Sequence, residues 1–401
     1  MSKNLHFYEI VAGADNSRAM EADTIQKNGA SPKSHTSRGN FFKSAVHFAA
    51  KGQILILAVL GTIMCSNLFA QTQTVPAITV TPEGTILRGA SLAAKLSWLS
   101  RSVESHNTYI VEVNANENIA PQKLEYSGAI NVTVILKGDS VNRTIRLSSH
   151  GTMFTVHNNV TLILDSNITL QGHSQNTGAM VEAYYGIFKM NDGSTITGNN
   201  YTGVTVKYGT FEMNGGTISG NIDRNYGGGV FVNSGNFTMN GGTISDNKAS
   251  YGGGVSVSGG SFEMKDGIIS GNTASKDGGG VYVSSFVTFE MKSGVISGNK
   301  ASNGGGVYGG LKMISGTITG NIATEYGGGI YISDFGNRLT KTGGTITGYK
   351  SDPDNGNVVN DGVGVIERRG HTVYVTPSRR KETTAGQKVS LDSKNNDNWD
   401  E

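Results

Sequence analysis

Three glutamates, Glu212, Glu263 and Glu290, fall at the same place in a recurring phrase, FEM, and are the residues best suited to acid–base work. Two carboxylates held a defined few ångströms apart can hydrolyse a glycosidic bond, a separation that sequence spacing leaves open. The column is interrupted by Thr238 and followed by Lys312, a mixture that reads more simply as a solvated sheet face. Asp352, Asp354 and Asp361, in SDPDNGNVVND, offer oxygens to a weakly held calcium. Their spacing is not that of an EF-hand loop, and an ordinary polar turn accounts for them. The eight histidines are scattered, and neither HExxH nor GxxxxGK followed by Ser or Thr occurs. The reading is therefore of a chain that is not an enzyme, with no catalytic residue, no metal site and no cofactor.

Binding chemistry is better represented. Phe231, Tyr282, Tyr308 and Tyr331 recur at one outward strand position, with Tyr226, Tyr251 and Tyr326 just before. A row of exposed rings can stack on sugar or grip protein, and aromatic residues also simply suit strand surfaces. Asn199, Asn221, Asn247, Asn272, Asn299 and Asn321 each end a GTISGN-like word. An asparagine tolerates a turn conformation and carries both donors and acceptors, so these six read as an interior ladder with a structural role. Thr195, Thr217, Thr243, Thr317 and Thr345 sit two residues before Thr197, Ser219, Ser245, Thr319 and Thr347, with Ile268 and Val295 interrupting. That partial Thr-x-Thr ladder resembles the one in β-helical ice binders, a remote alternative, since any strand favours β-branched residues.

All these columns depend on a repeat. The word GGGV begins at Gly227, Gly252, Gly278 and Gly304, with GGGI at Gly327, giving spacings of 25, 26, 26 and 23 residues. Such a period belongs to a solenoid coil. Within it the apolar alternation has a period of two, which is that of strands. One strand carries pairs such as Val230 and Val232, a second Phe237 and Met239, a third a lone Ile244. The expected fold is all-β: a single chain wound as a three-faced parallel β-helix, three strands per coil of about 25 residues, with like residues stacked from coil to coil. Glycines serve the tight turns between strands.

The regular repeats span 184–349, and the last recognisable word, GTITGY, ends at Tyr349. Before them, 71–183 holds strand-like runs that read as irregular coils. It also holds SLAAKLSWLSRSV, Ser91 to Val103, whose Leu92, Leu96, Leu99 and Val103 form one helical face with Lys95 and Arg101 elsewhere. That segment is a short N-terminal capping helix for a rod whose end must be covered. The segment 350–401 reads as a last coil and a polar tail, with no alternating apolar run of the kind a C-terminal membrane barrel needs.

Residues 1–70 read as a leader. Its apolar run Ile54 to Met64 is preceded by Lys43 and Lys51 and followed by SNLFAQ. This is the pattern of a secretory signal with cleavage after Ala70, too short to span a bilayer comfortably. Cys65, the one cysteine, lies within it behind Ile63 and Met64, a poor context for lipid attachment. The mature chain would then have no cysteine, no disulfide and no transmembrane span. The leader holds seven Lys/Arg and four Asp/Glu, leaving 26 and 27 for the rest. A near-neutral body without a basic stripe gives nucleic acid no footprint.

The words GGGVYV, FEMNGGTISGN and SGNKAS resemble the secreted bacterial right-handed parallel β-helix repeat proteins of pectate-lyase-like fold, and are similar to polymorphic outer membrane protein repeats. The resemblance covers Tyr184 to Tyr349 closely and Thr108 to Gln171 more loosely. It implies a secreted, outer-membrane-surface or periplasmic protein, adhesin-like, whose partner is a glycan or a host or extracellular-matrix protein. Enzymes of that fold imply the alternative, a polysaccharide lyase or hydrolase. They bring calcium-holding carboxylates and a basic residue to one strand face, whereas the first-strand outward positions here are Phe231, Ser256, Tyr282, Tyr308 and Tyr331.

Overall fold

The structure, a computed structural model, describes residues 75–375 apart from 288, 334–336, 350–351 and 366–370. The apolar run 54–64, Cys65, the cleavage point after Ala70 and the tail from 378 onward lie outside the described residues. What is described is an all-β parallel solenoid of about ten turns, with one helix at its start.

Each regular coil uses its apolar residues as the spacing predicts. In one coil, Val230–Asn233 is followed by Gly235–Met239 and then Thr243–Ser245. Each of these strands pairs in parallel with its copies in the neighbouring coils, forming sheets of 10, 12 and 10 strands. Register is strict: Phe211, Phe237 and Phe262 face one another, as do Met213, Met239 and Met264, and Ile218, Ile244 and Ile269. All nine are buried. Phe188, Phe211, Phe237, Phe262 and Phe289 stack at centroid distances of 5.0, 4.8, 4.6 and 4.5 Å, with ring planes within 15°. Aromatic pairs favour offset stacking at such distances, and the parallel-strand spacing of about 4.8 Å imposes it.

The structure adds a fourth short strand to the three. From Lys248–Tyr251 onward, segments such as Thr273–Asp277, Lys300–Asn303 and Ile322–Tyr326 form a five-stranded sheet of their own. Only one small residue per strand turns inward there: Ala249, Ala274, Ala301 and Ala323. That apolar signal is too short for the alternation to reveal.

The asparagines behave as the words suggest, and the column is longer. The backbone N–H and Nδ2 of Asn221 both donate to Oδ1 of Asn247, at 3.0 Å each, and Asn247 treats Asn272 identically. Nδ2 of Asn247 also donates to the carbonyl of Ile218 in the coil before. The column continues to Asn176, which donates to Asn199 Oδ1, and to Asn357, which accepts from Asn321. Thus Asn357, 36 residues on, takes the place that Tyr349 occupies in the sequence pattern. The third glycine of the triplet clears this column, and the first two clear backbone carbonyls. A side chain on Gly229 would begin 3.0 Å from Asn247 Nδ2, and Gly227 has φ +61° with its Cβ position 2.2 Å from the Val230 carbonyl.

At the N-terminal end, Ala77–Thr81 pairs antiparallel with Gly84–Arg88, and the parallel stacking starts from there. The helix Leu92–Ser102 is capped by Ser91 and buries Leu92, Leu96 and Leu99. Lys95, expected away from the apolar face, is 0% exposed. Its Nζ donates to the Glu112 carbonyl, while the Glu117 carboxylate accepts from the Leu92 N–H at 2.8 and 2.9 Å. The helix therefore packs on more than its leucine stripe, with polar partners waiting beneath Lys95. Burial pushes the Lys95 ammonium below its ordinary pKa, and Glu117 and Glu112 pull it back only in part.

Replacing Asn247 by Ala strands the two donors of Asn221 and the Ile218 carbonyl. The expected cost is on the order of 3 kcal/mol, read as a lower urea midpoint than that of Ser245→Ala, whose side chain lies outside the column.

Candidate aromatic surface

The outward side chains of the Val strands form the candidate site. Phe231, Ser256, Tyr282, Tyr308 and Tyr331 lie in register on successive coils, and Tyr374 extends them by one. Tyr282 stacks on Tyr308 at 5.3 Å and 14°, Tyr308 on Tyr331 at 4.9 Å and 5°, and Tyr331 on Tyr374 at 5.3 Å and 18°. The structure thus brings Tyr282, Tyr308 and Tyr331 together as one ladder. Phe231 belongs to it indirectly. At Ser256 the ring path leaves the column: Phe231 stacks on Tyr226, Tyr226 on Tyr251, and Tyr251 tilts against Tyr282. Ser256 is buried and its hydroxyl has no partner.

These rings are half-buried rather than fully exposed. Each interior ring has neighbours on both faces, so the ladder offers mainly edges and hydroxyls. Burial pushes the phenols of Tyr282 and Tyr308 up to about 12, with neighbouring tyrosines and Asp277 adding to it. Asp277 replaces a ring in the adjacent column, in register with Tyr251 and Asn303. Burial raises its carboxyl above the usual range, and Asn303 Nδ2, donating at 3.0 Å, opposes that rise. On the exposed side Lys276 Nζ donates to the Tyr251 hydroxyl at 3.1 Å.

The glutamate column forms on the Phe/Met sheet, and each member has an ammonium partner. Glu212 meets Lys189 at 2.8 Å, Glu290 meets Lys312 at 2.8 Å, and Glu263 meets Lys292 and Lys265. The Lys292 bond holds the Glu263 carboxyl below its ordinary range. A general acid at neutral pH needs the opposite shift. Asp352, Asp354 and Asp361 are not gathered around one point. Asp352 caps the Asn355 N–H, and Asp361 accepts from Val363 and Gly364. Among the described residues no group of three or more His, Cys, Asp or Glu is placed to hold a metal ion.

On the Ile sheet, Thr195, Thr217 and Thr243 align in register, with Ile268 and Val295 breaking the row before Thr317 and Thr345. Thr195, Thr217 and Thr243 border an open polar groove of about 430 Å³ that also includes Asn142, Asn167 and Asp192. A second, external amide ladder was not visible in the words: Asn240 donates to Asn214, Asn214 to Asn191 and Asn191 to Asp165. Its residues do recur at the coil period, and that is the signal that could have found it. Sequence reasoning also missed a second ring cluster, in which His157, Tyr184, Tyr185 and Tyr208 touch in succession.

No known protein family, curated protein or solved structure matches the chain. Among the described residues no helix is long and apolar enough to cross a membrane.

The Tyr282 and Tyr308 shifts carry a pH signature. A phenol whose folded pKa lies above its unfolded value of about 10 holds its proton longer in the fold. The stability it contributes is complete below pH 10 and is lost as pH rises from 10 to about 12. Ultraviolet titration should show late ionisation with unfolding in that window, and Tyr282→Phe should delay the onset of unfolding.

Proposed function

We propose that the chain is a secreted, non-enzymatic solenoid of pectate-lyase-like fold, similar to polymorphic outer membrane protein repeats. It acts as a surface-exposed or periplasmic module that binds a glycan or a host or matrix protein, or serves as a structural rod. The observation that carries this reading is the ring ladder Tyr282–Tyr308–Tyr331–Tyr374, held at nearly constant spacing along one side. Such a ladder presents a repeating row of aromatic edges and hydroxyls, and tyrosine combines apolar area with a polar tip in the way binding surfaces require.

Paired carboxylates on the opposite argument, that of an enzyme, support the same choice. Glu263 and Glu290 are each paired with lysine, and the Lys292 bond holds the Glu263 carboxyl below its ordinary range, the opposite of what a general acid needs. Export is read from the leader 1–70 alone.

A screen of immobilised glycans and matrix proteins tests the proposal. The wild type should retain at least one class of ligand, and changing Tyr282, Tyr308 and Tyr331 together to Ala should weaken capture by about tenfold or more. Unchanged capture would remove the ladder from the proposal. Release of unsaturated or reducing products from a uronate polymer with calcium, abolished by Glu263→Gln or Glu290→Gln, would replace it with the enzymatic reading.

A further inference from the structure

At the corner where each Val strand turns into the next Phe/Met strand, one residue takes a left-handed conformation. Tyr185 does so with φ 59°, Tyr208 with φ 60° and Ser234 with φ 63°. Glycine or asparagine suits that conformation and a bulky ring does not. The corner has no intrinsic need of a ring, because the next coils pass it with Ser234 and with a Gly-Gly pair whose left-handed residue is Gly260, φ 81°. Strain of this kind is retained where the side chain has a use.

The two rings are arranged as a platform. Tyr185 stacks on Tyr208 at 5.0 Å and 22°, and Tyr184 supports Tyr185 edge-on at 4.8 Å. Both stay open to solvent, at 54% and 51%. Tyr208 is the last ring of the stack. Strand register sets Lys207 against Asn233 and Thr210 against Asn236, so the residue on the next coil beyond Tyr208 is Ser234. A serine cannot cover a phenol, and one face of Tyr208 is left bare. This differs from the Tyr282 ladder, whose interior rings have both faces occupied.

Past that bare face the corner is polar and uncharged. Positions 233–236 and 258–261 read NSGN and SGGS. Ser234, Asn236, Ser258 and Ser261 are exposed, and the Ser261 hydroxyl donates to Asn236 Oδ1 at 2.8 Å, so the acceptor of that amide is engaged while its donor is not. The coil spacing of about 4.8 Å is close to the thickness a stacked ring occupies. An open aromatic face beside amides and hydroxyls, without charge, suits one chemistry: a ring with an apolar C–H face and a hydroxyl rim. A uronate polymer or another polyanion would require a row of cations, whereas Lys207 beside this platform is turned over the Tyr184 ring at 5.4 Å.

We propose that Tyr208, backed by Tyr185, is a stacking site for a neutral saccharide, with Asn236 and the neighbouring serines hydrogen-bonding its hydroxyls. The proposal rests on the reading of the rod as a binding module, gives that reading a ligand class, and adds a second place apart from the Tyr282 ladder.

The test uses Tyr208→Gly in the full chain, because glycine removes the ring and relieves the backbone, so the variant should melt at or above the wild type. Soluble oligomers of glucose, mannose, galactose and N-acetylglucosamine are titrated by calorimetry, with oligogalacturonate as the charged arm. The wild type should bind at least one neutral oligomer, Tyr208→Gly should lose about tenfold or more, and Tyr208→Phe should stay within about threefold. Equal binding by Tyr208→Gly, or a wild type that takes only oligogalacturonate or only matrix protein, overturns the site while leaving the binding module standing. A wild type that binds no glycan and no matrix protein removes both.

Discussion

A buried carboxamide must satisfy two donors and an acceptor oxygen, and a solenoid corner provides the means only if the same residue returns in the next coil. Asn247 illustrates the constraint. Its oxygen takes both donors of Asn221, its nitrogen serves Asn272 and the Ile218 carbonyl, and its backbone N–H is taken by Asn272 as well. Each amide is satisfied by its neighbours, so the arrangement tolerates no isolated exception without leaving a buried polar group unpaired. From Asn176 to Asn357 the column repeats once per coil in step with the apolar columns, so both enforce one register. The column also crowds the third glycine of the triplet, because a side chain on Gly229 would begin 3.0 Å from the Asn247 amide.

Once register is fixed, the coil spacing decides what side chains can do with one another. Inside, five phenylalanines stack at 4.5 to 5.0 Å. Outside, Tyr282, Tyr308, Tyr331 and Tyr374 stack at 4.9 to 5.3 Å. The glutamates on the Phe/Met sheet obey the same geometry and would repel one another in an unbroken column. Lysines at 189, 265, 292 and 312 stand between or beside them. Their pairing is a consequence of stacking like positions in register, and it holds Glu263 in the ionised form.

What could be read in the sequence follows from the same logic. The Phe, Met, Ile and Asn columns were legible because each contributes one residue per period in a fixed word, and the structure places all of them where the words put them. The early strands, such as Thr108–Val113 and Val160–Leu164, were legible by alternation alone. The fourth strand was not, because one inward alanine per coil leaves no alternation. Asn357 was hidden by the insertion before it, which replaces the expected residue at Tyr349 with a loop and delivers the asparagine late. Lys95 was misplaced because a helical wheel shows which face is apolar and cannot show that a carbonyl and a carboxylate wait beneath an ammonium. Phe231, Tyr282, Tyr308 and Tyr331 were found, but their alignment gave no hint that stacking would cover their faces.

That last difference bears on how an aromatic surface should be judged on a solenoid. When coil spacing alone brings outward rings to van der Waals separation, a row of tyrosines arises wherever the repeat carries tyrosine, so the ladder marks a surface and its stacking by itself does not name the ligand. Departures from the repeat are more informative. Tyr185 and Tyr208 occupy a backbone conformation their side chains disfavour, and their stack stops against Ser234 with a face uncovered. Phe286, 86% exposed in a corner one residue longer than that of the coil before it, is a second departure of the same kind. Both lie on the corner between the Val and Phe/Met strands, where nothing in the packing of the lumen selects the residue. On a rod whose interior is fixed by amide and apolar columns, that corner is where sequence is free to encode recognition.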